Sequence, residues 1–310
     1  MLAGTVSLGA AEHEVRAREK HEKAALQIAE APAVDVRIEV ADATNLPLED
    51  DLVDLCITSP PYGLDKLYRS SADSAEGWQN FMDDWLAEAH RVSKSGGRLA
   101  LNVPLDTTVG GFRPTYAQAV DCARRAGWTY RSTIVWDENT VSKSTGRGSV
   151  DSAGSPHVIT PVEMIALFSK GAWKREPPRG IVSDLEHDEW LSWTNGHWRF
   201  GGEARGWEGH PAPFPEELPR RLIKLLSFQG DIVLDPFGGS GTTALVARRL
   251  RRTPIAFDLS EEYVASARRR VAKASSDESE AQEQPGLDLF TGASEPMGEQ
   301  RGAAASVGAR

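Results

Sequence analysis

From Val36 onward, short runs of aliphatic and β-branched residues alternate with longer stretches whose apolar positions recur every three to four residues. VRIEV and VDLCI read as strands, GWQNFMDDWLAEAHRVSK as a helix and GGRLALNV as a strand again. STIVW and VEMIALFSK add two more strand-like runs. The alternation resumes with a helix from about Glu216 to Phe228. It continues through strand IVLD, a Gly-rich turn, helix TALVARRL, strand PIAFD and helix EEYVASARRRVAKA. Strand–helix–strand order of this kind predicts an α/β fold with a doubly wound, Rossmann-like sheet.

Texture divides the chain into five segments. Residues 1–34 show weak helical spacing between about Glu12 and Ala29 and predict a lead-in helix. Residues 35–138 carry the first α/β stretch, and 210–272 carry the second. Between them, 139–209 is rich in Gly, Ser, Trp and Pro and reads as an insertion. Residues 273–310 are polar, with seven acids against two basic residues from Ser275 on, and predict a disordered acidic tail.

Charge and cysteine content narrow the chemistry. The 310 residues carry a formal net charge of -10, so contact with nucleic acid needs basic residues gathered locally. Two cysteines, Cys56 and Cys122, build neither a disulfide framework nor a four-thiolate site. His157, His187 and His197 lack ligand spacing, so no metal is expected. No apolar stretch reaches the ~20 residues of a membrane-spanning helix. The opening MLAGTVSLGAA lacks the basic residues of a signal peptide, and the expectation is a cytoplasmic protein with no membrane partner.

Two motifs carry chemistry. In DIVLDPFGGSGTTALVARRL, Asp235 ends a strand, and Pro236, Phe237, Gly238, Gly239, Ser240, Gly241, Thr242 and Thr243 form a turn into a helix N-terminus. Glycines permit close backbone approach, and the helix N-terminus offers N–H groups to a polar ligand. The turn lacks the Gly-Lys-Ser/Thr of a phosphate loop. Asp258, at the end of PIAFD, stands where such folds place a carboxylate for ribose hydroxyls, so an adenosine-containing cofactor fits. In ITSPPYG, Ser59, Pro60, Pro61 and Tyr62 follow a strand directly. The two prolines stiffen an extended turn, Tyr62 offers a stacking face, and the Ser59 hydroxyl and Pro60 carbonyl are acceptors for the exocyclic amine of a flipped base.

These motifs resemble those of the DNA amino-methyltransferases, the N4-cytosine/N6-adenine family. ITSPPY resembles the cytosine-N4 signature, and DPFGGSGTT resembles the S-adenosylmethionine (AdoMet) loop. HPAPFPEEL, with His210, Pro211 and Phe214, is similar to the segment that packs on the methionine moiety. Ala41, Asp42 and Ala43 resemble the motif whose acid meets the adenine amine. The order, with the Ser59 turn first, an insertion and then the AdoMet loop, resembles the family's β-group permutation.

The resemblance implies a site-specific methyltransferase that flips a cytosine in double-stranded DNA and moves a methyl group from AdoMet to its N4 amine by direct in-line attack. Such an enzyme works in restriction-modification or as an orphan methylase, and a cognate endonuclease is not expected in stable complex. Adenine N6 is the alternative target, because a serine hydroxyl accepts either amine. Cytosine C5 is excluded, since neither cysteine follows a proline. An RNA base, a glutamine amide or an inactive binding module are further alternatives.

For DNA contact, Lys143, Arg147, Lys174 and Arg175 are the candidates, drawn from a stretch of excess positive charge in the insertion. Five tryptophans from Trp173 to Trp207 are expected to build a recognition module. In the tail, QPGLDLF (Gln284 to Phe290) resembles peptides that dock replication sliding clamps.

Overall fold

The computed structural model describes residues 34–62, 75–107, 113–138, 147–148, 152–158, 160, 162–202 and 214–283. Residues 1–33 of the expected lead-in helix, Lys143, His210, Pro211, Trp207 and the Gln284–Phe290 peptide lie outside these residues.

Eight strands form one sheet. Its order is β1 (Arg37–Val40), β10 (Thr253–Asp258), β9 (Ile232–Asp235), β2 (Val53–Thr58), β3 (Ser93–Pro104), β7 (Val162–Ser169), β4 (Thr129–Asp137) and β8 (His197–Arg199). The first five pair in parallel, while β7 runs antiparallel to both its neighbours and β8 lies parallel to β4. The short strands β5 (Arg147–Gly148) and β6 (Pro156–His157) pair separately, which is where the backbone of Arg147 lies.

Six helices are described: α1 (Ala75–Val92), α2 (Thr115–Arg125), α3 (His187–Trp193), α4 (Glu217–Leu226), α5 (Thr242–Arg249) and α6 (Glu261–Glu283). In α1, Trp78, Met82, Trp85, Leu86 and Ala89 recur at helical spacing, and all are buried. They pack with Cys56, Leu99 and Leu101 on one face of the sheet. Strand residues alternate faces, so Leu55, Ile57, Ala100 and Val233 point the other way, onto Leu218, Leu222, Ile223 and Leu226 of α4. A third cluster joins α5 and α6 to Ile38 and Ala256. Each large side chain so buried contributes roughly 1.5–3 kcal/mol, which makes the two-faced burial of the central strands the main source of stability.

The stretch 139–209 departs from its expectation as an insertion. Its apolar run Val162–Ser169 is a central strand of the sheet, and His197–Arg199 is an edge strand. The tryptophans are redistributed accordingly. Trp193 and Trp198 are core residues at 4% and 1% exposure, and the Trp173 ring meets the guanidinium groups of Arg98 and Arg131 at 4.8 and 5.5 Å. Trp190 is exposed. Helix α6 also continues past the expected start of the tail, to Glu283.

A strap following β7 crosses the amino-terminal edge of the sheet. Arg175 binds Asp54, just inside β2, at 2.8 Å and Asp231, just before β9, at 2.9 Å. The fully buried Arg252 grips Asp184 through two nitrogens at 2.5 and 2.8 Å and also donates to the Ser227 carbonyl. Unpaired charges at these depths would cost several kcal/mol, so the ion pairs hold the strap in one position.

Candidate functional site at the switch point of the sheet

The chain leaves β2 in one direction, through α1 to β3, and leaves β9 in the other, through α5 to β10. Adjacent strands whose crossovers diverge open a crevice at their carboxyl ends, where α/β folds bind ligands. Both sequence motifs end here: Ser59 follows β2, and the glycine turn follows Asp235 at the end of β9.

The two strands are locked together at this point. The Thr58 hydroxyl donates to Asp235 Oδ1 at 2.7 Å, Thr243 Oγ1 donates to Oδ2 at 2.7 Å, and the Phe237 N–H donates to Oδ1 at 3.1 Å. Asp235 is 2% exposed. Burial pushes its carboxyl up to about 6, against the lowering effect of the three donors. Asp235, expected to contact the cofactor, therefore commits both oxygens to tying the Ser59 strand to the glycine turn.

The hydroxyls of the turn are likewise turned inward. Ser240 Oγ and Thr242 Oγ1 lie 3.2 Å apart, and Arg270 of α6 donates to Thr242 at 2.9 Å. What the turn presents outward is backbone, with Phe237 and Gly238 partly exposed. Gly241 caps α5 at φ 75, where a side chain would also meet Ala267 at 2.8 Å, so glycine is required there. Asp258 accepts from Gly239 N–H at 3.0 Å and Ser260 N–H at 2.9 Å. The Ala41 N–H bonds the Asp258 carbonyl at 3.2 Å, which places the Ala41–Ala43 segment beside it. Asp42 itself is exposed and accepts from Thr44 through N–H and hydroxyl at 2.9 and 2.8 Å. Phe214 packs against the cluster under α4.

Opposite the turn, a second hydrogen-bonded group surrounds Ser59. Its hydroxyl makes a close contact with the Tyr62 hydroxyl. Tyr62 donates to Glu163 Oε2 at 3.2 Å, and Asn102 Nδ2 reaches the same oxygen at 2.5 Å. Burial, followed by the charge of Glu163, pushes the Tyr62 phenol well above its ordinary range, so it keeps its proton. The proline turn is held from behind: Trp78 Nε1 donates to the Pro61 carbonyl and Arg113 to the Tyr62 carbonyl, both at 3.0 Å. Sequence reasoning does not single out Asn102, Glu163, Trp78 or Arg113. The available signal is an acid, Glu163, near the start of the apolar run VEMIALFSK.

A bare backbone turn at a helix N-terminus, a carboxylate at the end of the adjacent strand and an aromatic at the lip suit a nucleoside-containing cofactor. A model of the DNA methylase family N6_N4_Mtase matches residues 53–269. The chain belongs to that family. It is an AdoMet-dependent DNA methyltransferase of the N4-cytosine/N6-adenine kind. Type II methyltransferase M.MjaVI of Methanocaldococcus jannaschii is 40% identical over 166 residues, 53% of this chain and 84% of that one. The Thermus thermophilus protein TTHA0409, solved in complex with S-adenosyl-L-methionine, is 28% identical with a TM-score of 0.60 over 76% of this chain and 93% of that one. PvuII DNA methyltransferase (cytosine-N4-specific), 21% identical, shares the fold with a TM-score of 0.58 over 77% of this chain and 88% of that one.

In this DNA methyltransferase both cysteines are buried, and burial pushes the Cys122 thiol up to about 12 and the Cys56 thiol well above its usual range. Neither provides a thiolate nucleophile. Two of the basic candidates, Lys174 and Arg175, lie on the strap. Arg175 is paired with Asp54 and Asp231 at the amino-terminal edge of the sheet. Its neighbour Lys174 is exposed and paired with Glu176 at 2.7 Å. Among the described residues no helix is long and apolar enough to cross a membrane, and no cluster of ligating side chains could hold a metal ion.

Proposed function

We propose that the enzyme methylates the N4 amine of cytosine at a specific site in duplex DNA, as the modification half of a Type II system acting in the cytoplasm. The observation that carries this reading is the acceptor at the end of β2: Ser59, a neutral hydroxyl followed by Pro60, Pro61 and Tyr62, fixed beside the glycine turn by the Thr58–Asp235 bond at 2.7 Å. The flipped cytosine stacks on Tyr62 and gives its amine hydrogens to the Ser59 hydroxyl and the Pro60 carbonyl. Both contacts leave the nitrogen lone pair directed at the crevice. The backbone of residues 236–241, with Phe237, Asp258 and the segment around His210, Pro211 and Phe214, holds the cofactor. When bound, AdoMet supplies an activated methyl group for direct transfer to the amine. Catalysis comes mainly from positioning, with no covalent enzyme intermediate.

The peptide Gln284–Phe290, beyond the end of α6, gives the acidic protein a tether to a sliding clamp. Deleting residues 284–310 then lowers modification in cells and leaves turnover on short duplexes unchanged; equal losses in both assays would remove the tether.

The deciding experiment expresses the enzyme in a host without DNA methylation and sequences the genome by a method that separates N4-methylcytosine from N6-methyladenine. N4-methylcytosine at one recurring sequence supports the proposal. N6-methyladenine keeps the catalytic geometry and overturns the choice of base.

A further inference from the structure

We infer that Glu163 is a positioning residue whose carboxylate sets the direction of the hydrogen-bond chain ending on Ser59, so that the serine meets the target amine as an acceptor. The inference rests on the reading of Ser59 as the amine's partner.

The argument is one of hydrogen counting. A carboxylate has no hydrogen to give, so across the 3.2 Å between Tyr62 and Glu163 the phenol must donate. That uses its only hydrogen. In the close contact between Ser59 and Tyr62, the serine is then the donor and the phenolic oxygen the acceptor. Ser59 in turn has no second hydrogen, and its free side presents lone pairs alone.

Asn102 reinforces the same direction. Its side chain lies 2.5 Å from Glu163 Oε2, and only the amide nitrogen can face a carboxylate at that distance. The same nitrogen stands 3.3 Å from the Tyr62 oxygen, so it too approaches the phenol as a donor. Its Oδ1 is left buried with no hydrogen-bond partner, a consequence of committing the nitrogen to this corner. Glu163 is held in register from both sides, opposite Pro104 of β3 and Trp136 of β4.

Direction matters to the chemistry because the nucleophile is the lone pair on the amine nitrogen. A serine that donated to that nitrogen would occupy the pair. One that accepts an N–H concentrates electron density on it, and does so before the base arrives.

The test measures methyl transfer to a duplex substrate by the full chain carrying Glu163→Gln, Tyr62→Phe or both. Glutamine keeps the shape of Glu163 but can give hydrogens to Tyr62, which frees the phenol to donate to Ser59. Phenylalanine keeps the stacking ring, removes the hydroxyl and leaves β7 untouched, so it probes the chain even if Glu163→Gln does not fold. Each variant should lower kcat by about tenfold to a hundredfold, with KM for AdoMet and DNA changed less than about threefold. The double variant should be no slower than the slower single one, because both act through one serine hydroxyl. Full activity in either single variant, or losses that multiply in the double, would overturn the inference while leaving the proposed reaction in place. A wild-type enzyme that methylates no amine in any duplex would remove that reaction, and the inference with it.

Discussion

Thr58 and Asp235 stand 177 positions apart in the chain, yet the hydroxyl of one donates to the carboxylate of the other at 2.7 Å in the middle of the sheet. This bond couples the strand that presents the Ser59 turn to the strand that presents the glycine turn. Thr58→Val keeps the shape and deletes the donor, leaving Asp235 with Thr243 and the Phe237 N–H. A loss of about 1–3 kcal/mol in unfolding free energy is expected, measured by urea denaturation with the slope unchanged. A variant as stable as the parent would show that the bond contributes nothing net.

The raised Asp235 carboxyl gives stability a recognisable pH dependence. Its folded value is about 6 against 3.8 in the unfolded chain, so between those values the folded protein holds a proton that the unfolded chain has released. Stability contributed by this group is complete below about pH 4 and falls as pH rises toward 6, by about 3 kcal/mol at most. Asp235→Asn removes the ionisation. Denaturation series from pH 4 to 7 on the two proteins should differ in slope over this window, and parallel curves would contradict the assignment.

Ser59→Ala removes the hydroxyl proposed to accept from the amine and touches nothing in the glycine turn. Single-turnover transfer should slow by about a hundredfold, while AdoMet affinity, read by calorimetry, stays within about twofold. Lost cofactor affinity would place Ser59 in a different role.

Arg175→Gln separates a structural cation from a DNA contact. Breaking its pairs with Asp54 and Asp231 leaves two carboxylates at the amino-terminal edge, 5% and 4% exposed, with less compensation. The expected cost is about 3 kcal/mol of stability. DNA affinity of the folded protein, and its dependence on salt concentration, should not change. A shallower salt dependence would return Arg175 to the DNA face.

Strands and helices with clear periodicity were legible in the sequence. IVLD coincides with β9, and PIAFD and VEMIALFSK fall within one residue of β10 and β7. The glycine turn was legible because its residues are local. What the sequence did not disclose is relational. An apolar run carries no record of direction, so nothing in VEMIALFSK showed that it runs against both its neighbours, inserted between β3 and β4 and bringing Glu163 to Tyr62. The same holds for Arg175, whose partners lie 121 and 56 positions away; as isolated letters a half-buried ion-pair cation and a phosphate contact look alike. Asp235 shows the converse. Its place at the strand end was legible, but its use was not, because that depends on hydroxyls which only folding brings to it.

The central position of β9 also bears on how the enzyme comes to life on the ribosome. Strand β2 is made early but finds its second neighbour only when residues 232–235 have emerged, and the glycine turn and Asp258 follow later still. Until then the middle of the sheet has an open flank, and the crevice has one wall. A nascent chain released before that point lacks the glycine turn and Asp235, the partner of Thr58. Premature termination in that interval therefore leaves the Ser59 turn without the bond that ties it to the other wall of the crevice.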